Sequence, residues 1–221
     1  MSLVAQYKLN SDATDASGNS NNGVATDVSW VSGKVGNGGS FNGSTSKIVV
    51  SGAGLDITAA VSACWWQYAT DSNDDYVFAK RNDTLKQFGV YAGVARTWFF
   101  YSWNGSPGYI AANTAYTLNT WQHWAVTANG TAVNWYLNGE AAGSGTLSGA
   151  ITTAACDVYI GCRGNGAGIS SPYTGYLDDL RIYDSVLSLG QIKAIYNGGT
   201  GTERQLTDES IGAPLRSGIL V

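Results

Sequence analysis

The chain has one histidine, three cysteines and few charges: 13% of its 221 residues are Asp, Glu, Lys or Arg. A lone histidine without any C-x-x-C pair excludes the common zinc ligand sets. The 12 basic and 16 acidic residues leave a net charge of -4, and no basic run stands out, so nucleic-acid binding lacks its electrostatic footprint. No apolar stretch approaches the ~18 residues that a membrane-spanning helix needs. The start, Met1-Ser-Leu-Val-Ala-Gln-Tyr-Lys-Leu-Asn10, has neither a basic nor an apolar leader region, and no signal peptide is expected there. No self-similarity of period 20–50 is evident, which argues against a solenoid or propeller.

The cysteines are odd in number. Cys156 and Cys162 flank a predicted strand at 157–161, which would hold them about 20 Å apart at ~3.3 Å per residue. A disulfide needs roughly 4.4–6.8 Å between Cα atoms, so that pair is excluded. Cys64 could reach either of them across two sheets; the favoured reading is three free thiols packed as small hydrophobes.

What the chain does have is glycine and aromatics: 29 Gly, 13 Tyr and 8 Trp. Polar surface comes from Asn, Ser and Thr. Asn-Gly pairs begin at 22, 37, 42, 104, 129, 138, 165 and 197, and Asn-Gly is a strong signal for tight turns with positive φ. Between them lie β-rich runs, predicting strands near 3–9, 46–50, 61–69, 75–80, 86–91, 96–103, 107–112, 121–128, 132–137, 157–161 and 174–184. One helix is predicted at 189–196. Ser188 and Gln191 form a capping box, Gly198 gives a left-handed stop, and Leu189, Ile192 and Ile195 or Tyr196 make an apolar stripe. The expected class is all-β: a two-sheet antiparallel sandwich with one short C-terminal helix. Residues 1–199 form the domain. Residues 200–221 read as a tail docked on a partner or neighbouring subunit, with Ile219, Leu220 and Val221 as its apolar anchor.

The stretch Gly175-Tyr-Leu-Asp-Asp-Leu-Arg-Ile-Tyr183 carries two adjacent carboxylates within a strand. Regular alternation sends Asp178 and Asp179 to opposite faces, so one of them needs a buried partner.

Three groups of residues together resemble the laminin G-like jelly rolls of the concanavalin A-like lectin/glucanase superfamily. They are Val4–Asn10 with Asp15–Gly23 and Gly39–Gly43; Thr120–Thr127 with Asn134–Glu140; and Tyr159–Gly161 with Gly175–Tyr183 and the capped helix. The resemblance spans about residues 3–199 and implies two stacked antiparallel sheets, a jelly roll. Glucanases of that superfamily carry E-x-D-x-x-E on one strand. Here the motif is missing and Glu140, in a turn, is the only glutamate of the domain, so no enzymatic activity is expected. Many relatives bind one structural Ca²⁺ through an aspartate of the last long strand. The resemblance would assign that role to Asp178 or Asp179, helped by Asn42 or backbone carbonyls near Asn10 and Asn42. The competing reading pairs the aspartate with Arg181 or with backbone N–H groups.

Elsewhere, His123 reads as a packing or hydrogen-bonding strand residue, with no nucleophile motif nearby. Asp71-Ser-Asn-Asp-Asp75 imitates the start of a calcium loop but has Tyr76 where glycine is needed, and reads as an exposed acidic turn. Trp98–Trp103 is the richest aromatic run. Alternation puts Phe99, Tyr101 and Trp103 on one side, where Tyr101 and Trp103, joined by Tyr91 and Tyr109, could stack on a sugar; the competing reading is ordinary sandwich packing with a subunit contact.

Two functions follow from these readings. The first is a non-enzymatic bacteriophage virion-surface subunit, for decoration or attachment, partnered by other virion subunits within an oligomer. The alternative is a secreted carbohydrate-binding module or adhesin, with glycans as partners.

Overall fold

The computed structural model describes residues 2–92, 98–103, 107–166 and 168–206; for 98–103 and 107 it describes the backbone alone. The described elements run β1 Leu3–Tyr7, β2 Gly23–Thr26, β3 Ser29–Ser32, β4 Asn37–Asn42, β5 Lys47–Val50, β6 Ala60–Ala69, β7 Asp75–Arg81, β8 Lys86–Ala92 and β9 Trp98–Trp103. They continue with β10 Pro107–Ala111, β11 Gln122–Asn129, β12 Ala132–Leu137, β13 Glu140–Thr146, β14 Val158–Ile160, β15 Arg163–Asn165, β16 Gly168–Ser170, β17 Thr174–Tyr183 and helix α1 Leu189–Tyr196.

Two antiparallel sheets stack. One has the order β13-β12-β11-β6-β17-β4-β3, with β1 also paired to β17; the other runs β10-β9-β8-β7-β14-β5-β2. β15 and β16 form a separate hairpin. Between the sheets lies an aromatic layer. Trp65 meets Phe78 and Trp135 edge-on with ring centroids 5.9 and 6.5 Å apart, and Trp124 meets Trp135 at 6.1 Å. Such edge-to-face contacts add to the large area these rings bury. This is the two-sheet jelly-roll sandwich expected from the sequence.

The eight-stranded sheet is covered on its outer face as well. Cys64 and Ala125 of the sheet pack there with Tyr183, Leu187, Ile192 and Ile195, so α1 docks by Ile192 and Ile195 of the predicted stripe, while Leu189 stays exposed. The helix starts on the full capping box of Ser188 and Gln191. It ends at Asn197, which is itself left-handed at φ 48°, one residue before the predicted glycine stop. The three cysteines are free thiols: Cys64 and Cys162 are buried and Cys156 is half-buried.

The sequence pattern missed β2, β3, β4, β13, β15 and β16. β4 is Asn-Gly-Gly-Ser-Phe-Asn, with a predicted turn pair at each end. It is a strand because of its neighbours: Gly39 pairs with Leu177, and a Cβ on Gly38 would sit 2.9 Å from the Leu177 carbonyl oxygen. Close backbone approach, not propensity, selects glycine there.

The main correction concerns β17. Against β6, Asp178 pairs with Trp66 but Arg181 pairs with Cys64, so one extra residue is inserted. Asp179 has φ 44°. Leu177, Leu180 and Ile182 all face the aromatic core, which leaves Asp178 and Asp179 together on the other side. A β-bulge therefore cancels the alternation that was expected to separate them. The bulge falls where one edge of β17 changes partner: β4 pairs with residues 174–177 and β1 with 180–183.

Candidate functional site

Two regions gather the residues singled out by the sequence. The first is the bulge. Asp179 is fully enclosed and grips Arg181: Nη2 donates to Oδ2 at 2.6 Å, and Nε lies 3.1 and 3.0 Å from the two carboxylate oxygens. Gln6 Nε2 donates to Asp179 Oδ1 at 2.8 Å. Asp178 Oδ2 accepts the N–H groups of Lys34 and Val35, both at 2.8 Å, while its Oδ1 has no partner. Burial is the main reason its carboxyl titrates near 7 rather than near 4, and the charge of Asp179 adds to the shift. Protonation at Oδ1 fits this arrangement, since Oδ2 is the oxygen engaged by two donors.

The two alternatives offered for a strand aspartate are thus both used, one by each residue. Asn42 takes no part. It pairs with Thr174 at the far end of the strand, and its Oδ1 accepts N–H bonds from Ser44, Thr45 and Ser46. Asp178, Asp179 and Asn42 therefore do not make one oxygen shell for Ca²⁺. No group of three or more metal-ligating side chains is present among the described residues.

The bulge also holds the start of the tail. Arg181 Nη1 donates to the Arg204 carbonyl at 2.9 Å and Nη2 to that of Thr202. Gln6 Nε2 reaches the Glu203 carbonyl at 3.1 Å, and the Glu203 carboxylate meets Asn10 Nδ2 at 2.7 Å and Lys8 Nζ at 3.3 Å. Residues 202–205 thus dock on their own domain. The anchor proposed at Ile219, Leu220 and Val221 lies outside the described residues.

The second region is a cleft on the outer face of the seven-stranded sheet, of about 480 Å³, lined by Tyr76, Arg81, Tyr91, Tyr109, Arg163 and Ser171. Its geometry begins with another irregularity. The β7–β8 register shifts between Tyr76 and Phe78, so Val77 and Phe78 both enter the core. Tyr76 and Ala79 are left outside, packed with Tyr91. Tyr76 and Tyr91 face each other across the two strands at 4.8 Å between centroids. Gly89 pairs with Ala79, and a Cβ on it would come within 3.1 Å of that alanine, so the strands beside the tyrosines run close with little side chain between them. Tyr109 stands on the rim, 53% exposed.

Arg81 donates to the Tyr76 hydroxyl at 2.8 Å and lies 5.6 Å from that ring's centroid. Arg163 enters from the β15–β16 hairpin and pairs with Asp83 at 2.9 Å; the other oxygen of Asp83 accepts the Gly166 N–H at 2.8 Å. The Gly166 and Arg163 bonds draw the Asp83 carboxyl below its usual range. Burial, and then a hydrogen bond to Asp74, raise the Tyr91 hydroxyl above its normal value, so it stays a neutral donor.

Of the four aromatic residues expected to bind a ligand, the structure brings Tyr91 and Tyr109 together. The backbone of Tyr101 pairs with both Tyr109 and Gly89, beside the cleft. The side chains of Tyr101 and Trp103 lie outside the described residues. Tyr76, Arg81 and Arg163 were missed. A bulge sets the side of Tyr76, and Arg163 belongs to a hairpin whose Asn-Gly signal was read only as a turn.

The acidic turn is a further correction. Asp75 is buried, and burial together with neighbouring Asp71 raises its carboxyl to about 7. His123 packs beside the stacked rings of Trp66 and Tyr196, with centroids at 5.1 and 5.9 Å, and neither of its ring nitrogens has a partner.

The family model described as the concanavalin A-like lectin/glucanases superfamily matches residues 42–193. The chain belongs to this superfamily. No curated protein sequence matches it. Among solved structures, domain 4 of AbnA, an extracellular arabinanase from Geobacillus stearothermophilus solved in complex with arabinotriose, superposes with a TM-score of 0.67 at 23% identity. That match covers 87% of this chain and 97% of the domain. The binding domain of Paraclostridial Mosquitocidal Protein 1 gives a TM-score of 0.73 at 19% identity, with 90% of this chain matching 52% of that one. The receptor-binding domain of botulinum neurotoxin mosaic serotype C/D gives 0.69 at 17% identity, covering 89% of this chain and 51% of that one. At these identities the likeness is one of fold.

Proposed function

We propose that this chain is a non-catalytic carbohydrate-binding domain whose ligand lies in the Tyr76–Tyr91–Tyr109 cleft. The observation that carries the reading is the rim tyrosine Tyr109 beside the Tyr76–Tyr91 pair, in a cleft of about 480 Å³. That volume lies within the ~300–1,000 Å³ of small-molecule sites. Flat rings with fixed polar groups between them suit the apolar face and hydroxyl edge of a sugar. Two fold neighbours that are binding domains, and a third domain solved in complex with arabinotriose, support the same reading.

Catalysis is disfavoured by the carboxylates. None lines the cleft among the described residues. Asp71 and Asp75 hydrogen-bond each other, too close to flank a glycosidic bond, which requires ~5 Å or more. Asp179 is committed to Arg181.

Such a domain works outside the cell, on a secreted protein or a particle. For the bacteriophage-surface reading, the tail anchor at Ile219, Leu220 and Val221 lies outside the described residues. Glycan binding belongs to the second of the two readings, the carbohydrate-binding module.

Titration calorimetry with arabino-oligosaccharides and a glycan array tests the proposal. At least one saccharide should bind, and Tyr91→Ala and Tyr109→Ala should each weaken it at least tenfold, the exposed Tyr109→Ala without changing the thermal midpoint. Binding unaffected by both substitutions, or no binding to any saccharide, overturns it.

A further inference from the structure

The loop between β6 and β7 brings two carboxyl groups together beside the cleft. Asp75 opens β7 and is fixed there. It pairs with Ala92 in the ladder, and its carboxyl accepts the Thr174 N–H. The next residue, Tyr76, donates its N–H to the Ser171 carbonyl at 3.0 Å. Asp71 belongs to the loop. Its Oδ1 accepts the Asn73 N–H at 3.2 Å, its Oδ2 accepts Asn73 Nδ2 at 2.7 Å, and its carbonyl accepts the Tyr116 hydroxyl at 3.3 Å. The carboxyl groups of Asp71 and Asp75 are hydrogen-bonded to each other. Two ionised carboxylates are acceptors only, so that bond requires a proton between them. Both Asp71 oxygens already accept from Asn73, which places the proton on Asp75.

The same loop reaches the cleft through Asp74, which accepts a hydrogen bond from the Tyr91 hydroxyl. Tyr91 in turn faces Tyr76, the residue after Asp75, with 4.8 Å between ring centroids. Loss of the shared proton sets two negative charges at hydrogen-bond distance. Asp75 is buried, so their repulsion is poorly screened. Asp75 is held by the ladder and by Thr174, and it is the loop that yields. The charge of Asp75 acts on Asp74 as well. The other titratable groups around the pair are phenols: Tyr173 beside the start of β17, Tyr116, Tyr76 and Tyr91. Burial keeps the Tyr173 and Tyr91 hydroxyls neutral, so they supply no counter-charge. Arg81 stands at the hydroxyl end of Tyr76, and the charges that raise Asp75 are those of Asp71 and Asp74.

Resting on the carbohydrate-binding reading above, we infer that this loop is a proton-operated latch on the cleft: while Asp71 and Asp75 share a proton, Asp74 holds Tyr91 against Tyr76 for the ligand, and when the proton leaves for solvent the loop shifts, Asp74 releases Tyr91 and the ligand is let go. Asp74 is a positioning residue that acts through Tyr91. Burial and the Asp71 charge put the Asp75 carboxyl at about 7. Affinity is therefore full below that pH and falls above it, by at most ~tenfold per pH unit for one linked proton.

The experiment has a ligand-free arm and a binding arm, both on the full chain. Carbon-13 NMR of the aspartate carboxyl and tyrosine Cζ atoms is followed from pH 5 to 9, and arabinotriose and the tightest saccharide of the array are titrated at pH 6 and 8.5. Because the Tyr91 hydroxyl stays neutral, its Cζ shift reads its hydrogen bond. The Asp71–Asp75 pair and Tyr91 Cζ should titrate with one midpoint, and binding should be at least fivefold weaker at pH 8.5. Asp75→Asn keeps a donor toward Asp71 without a proton to lose, and should make both readouts independent of pH. Asp74→Ala should silence Tyr91 while the pair still titrates; a Tyr91 response that survives reports bare charge and overturns the latch. A flat Tyr91 signal, or equal affinity at the two pH values, also overturns the latch and leaves the carbohydrate reading intact. Absence of any saccharide binding overturns that reading and the release step with it, while the ligand-free arm on the unaltered chain still decides whether the proton governs the grip of Asp74 on Tyr91.

Discussion

Arg181 Nη2 lies 2.6 Å from Asp179 Oδ2, and solvent reaches neither side chain. The two residues are separated by one position and so share a face by ordinary alternation, and the bulge at Asp179 adds Asp178 to that face. The ion pair then presents its remaining N–H groups to the carbonyls of Thr202 and Arg204. Removing one partner leaves a buried, uncompensated charge, which costs about 3–5 kcal/mol. Arg181→Met should therefore cost about that much in urea unfolding, and the Arg181→Met/Asp179→Leu double variant clearly less. Equal losses in the two would show that the guanidinium acts by packing alone.

This bulge also marks where the sequence stopped being readable. Strands with clear runs, such as Ala60–Ala69 and Gln122–Asn129, and the capped helix were legible because their hydrophobic pattern and caps are local. β4 was not, because its glycines answer to the backbone of β17. The sides of Tyr76 and Asp179 were not, because each lies at a register shift that depends on the partner strand. In the cleft, Tyr91 and Tyr109 were legible as aromatics, on two strands that β9 separates. The arginines were not, because the hairpin that delivers Arg163 is defined by tertiary contact. Burial of Asp75 within a polar loop likewise left no pattern to read.

Gly175 opens the same strand at φ 139°, and a Cβ there would sit 2.2 Å from the Tyr68 carbonyl oxygen. Tyr68 belongs to the paired strand β6 and cannot retreat without breaking the ladder. Gly175→Ala should cost about 3 kcal/mol or more, at or beyond the upper end of backbone strain in such regions. A thermal midpoint within a degree of the parent would refute the stated contact.

Two buried groups pull stability in opposite directions with pH. Burial, with a smaller contribution from Arg181, lowers His123 to about 3 from an ordinary 6.5, so the unfolded chain takes up a proton first. Its contribution is full above about 6.5 and is lost as pH falls toward 3. Asp75 is the reverse. Raised from 3.8 to about 7, it holds its proton longer in the fold, so its contribution is full below 3.8 and lost as pH rises to 7. His123→Phe should flatten the acid limb of the stability curve, and Asp75→Asn should lessen the decline between 4 and 7, to which Asp178 also contributes. Parallel curves for parent and both variants, measured by urea unfolding from pH 3 to 8, would contradict these assignments.

The last prediction separates the docked part of the tail from the rest. Thr202, Glu203 and Arg204 satisfy Arg181 and Gln6 with backbone carbonyls, and the Glu203 carboxylate meets Lys8 and Asn10. A chain ending at Gly201 removes these acceptors and exposes the Arg181–Asp179 pair to water on one side. A chain ending at Leu206 keeps all of them, including the bond from Gln205 to the Ala16 carbonyl. Each buried acceptor lost costs about 1–3 kcal/mol when its donor is left unsatisfied, although water admitted to Arg181 offsets part of that. The shorter chain should therefore unfold at a midpoint several degrees lower than the longer one, with faster amide exchange along β1 and at residues 180–183. If both truncations behave alike, the segment 202–206 contributes nothing to the fold and its docking on Arg181 is incidental.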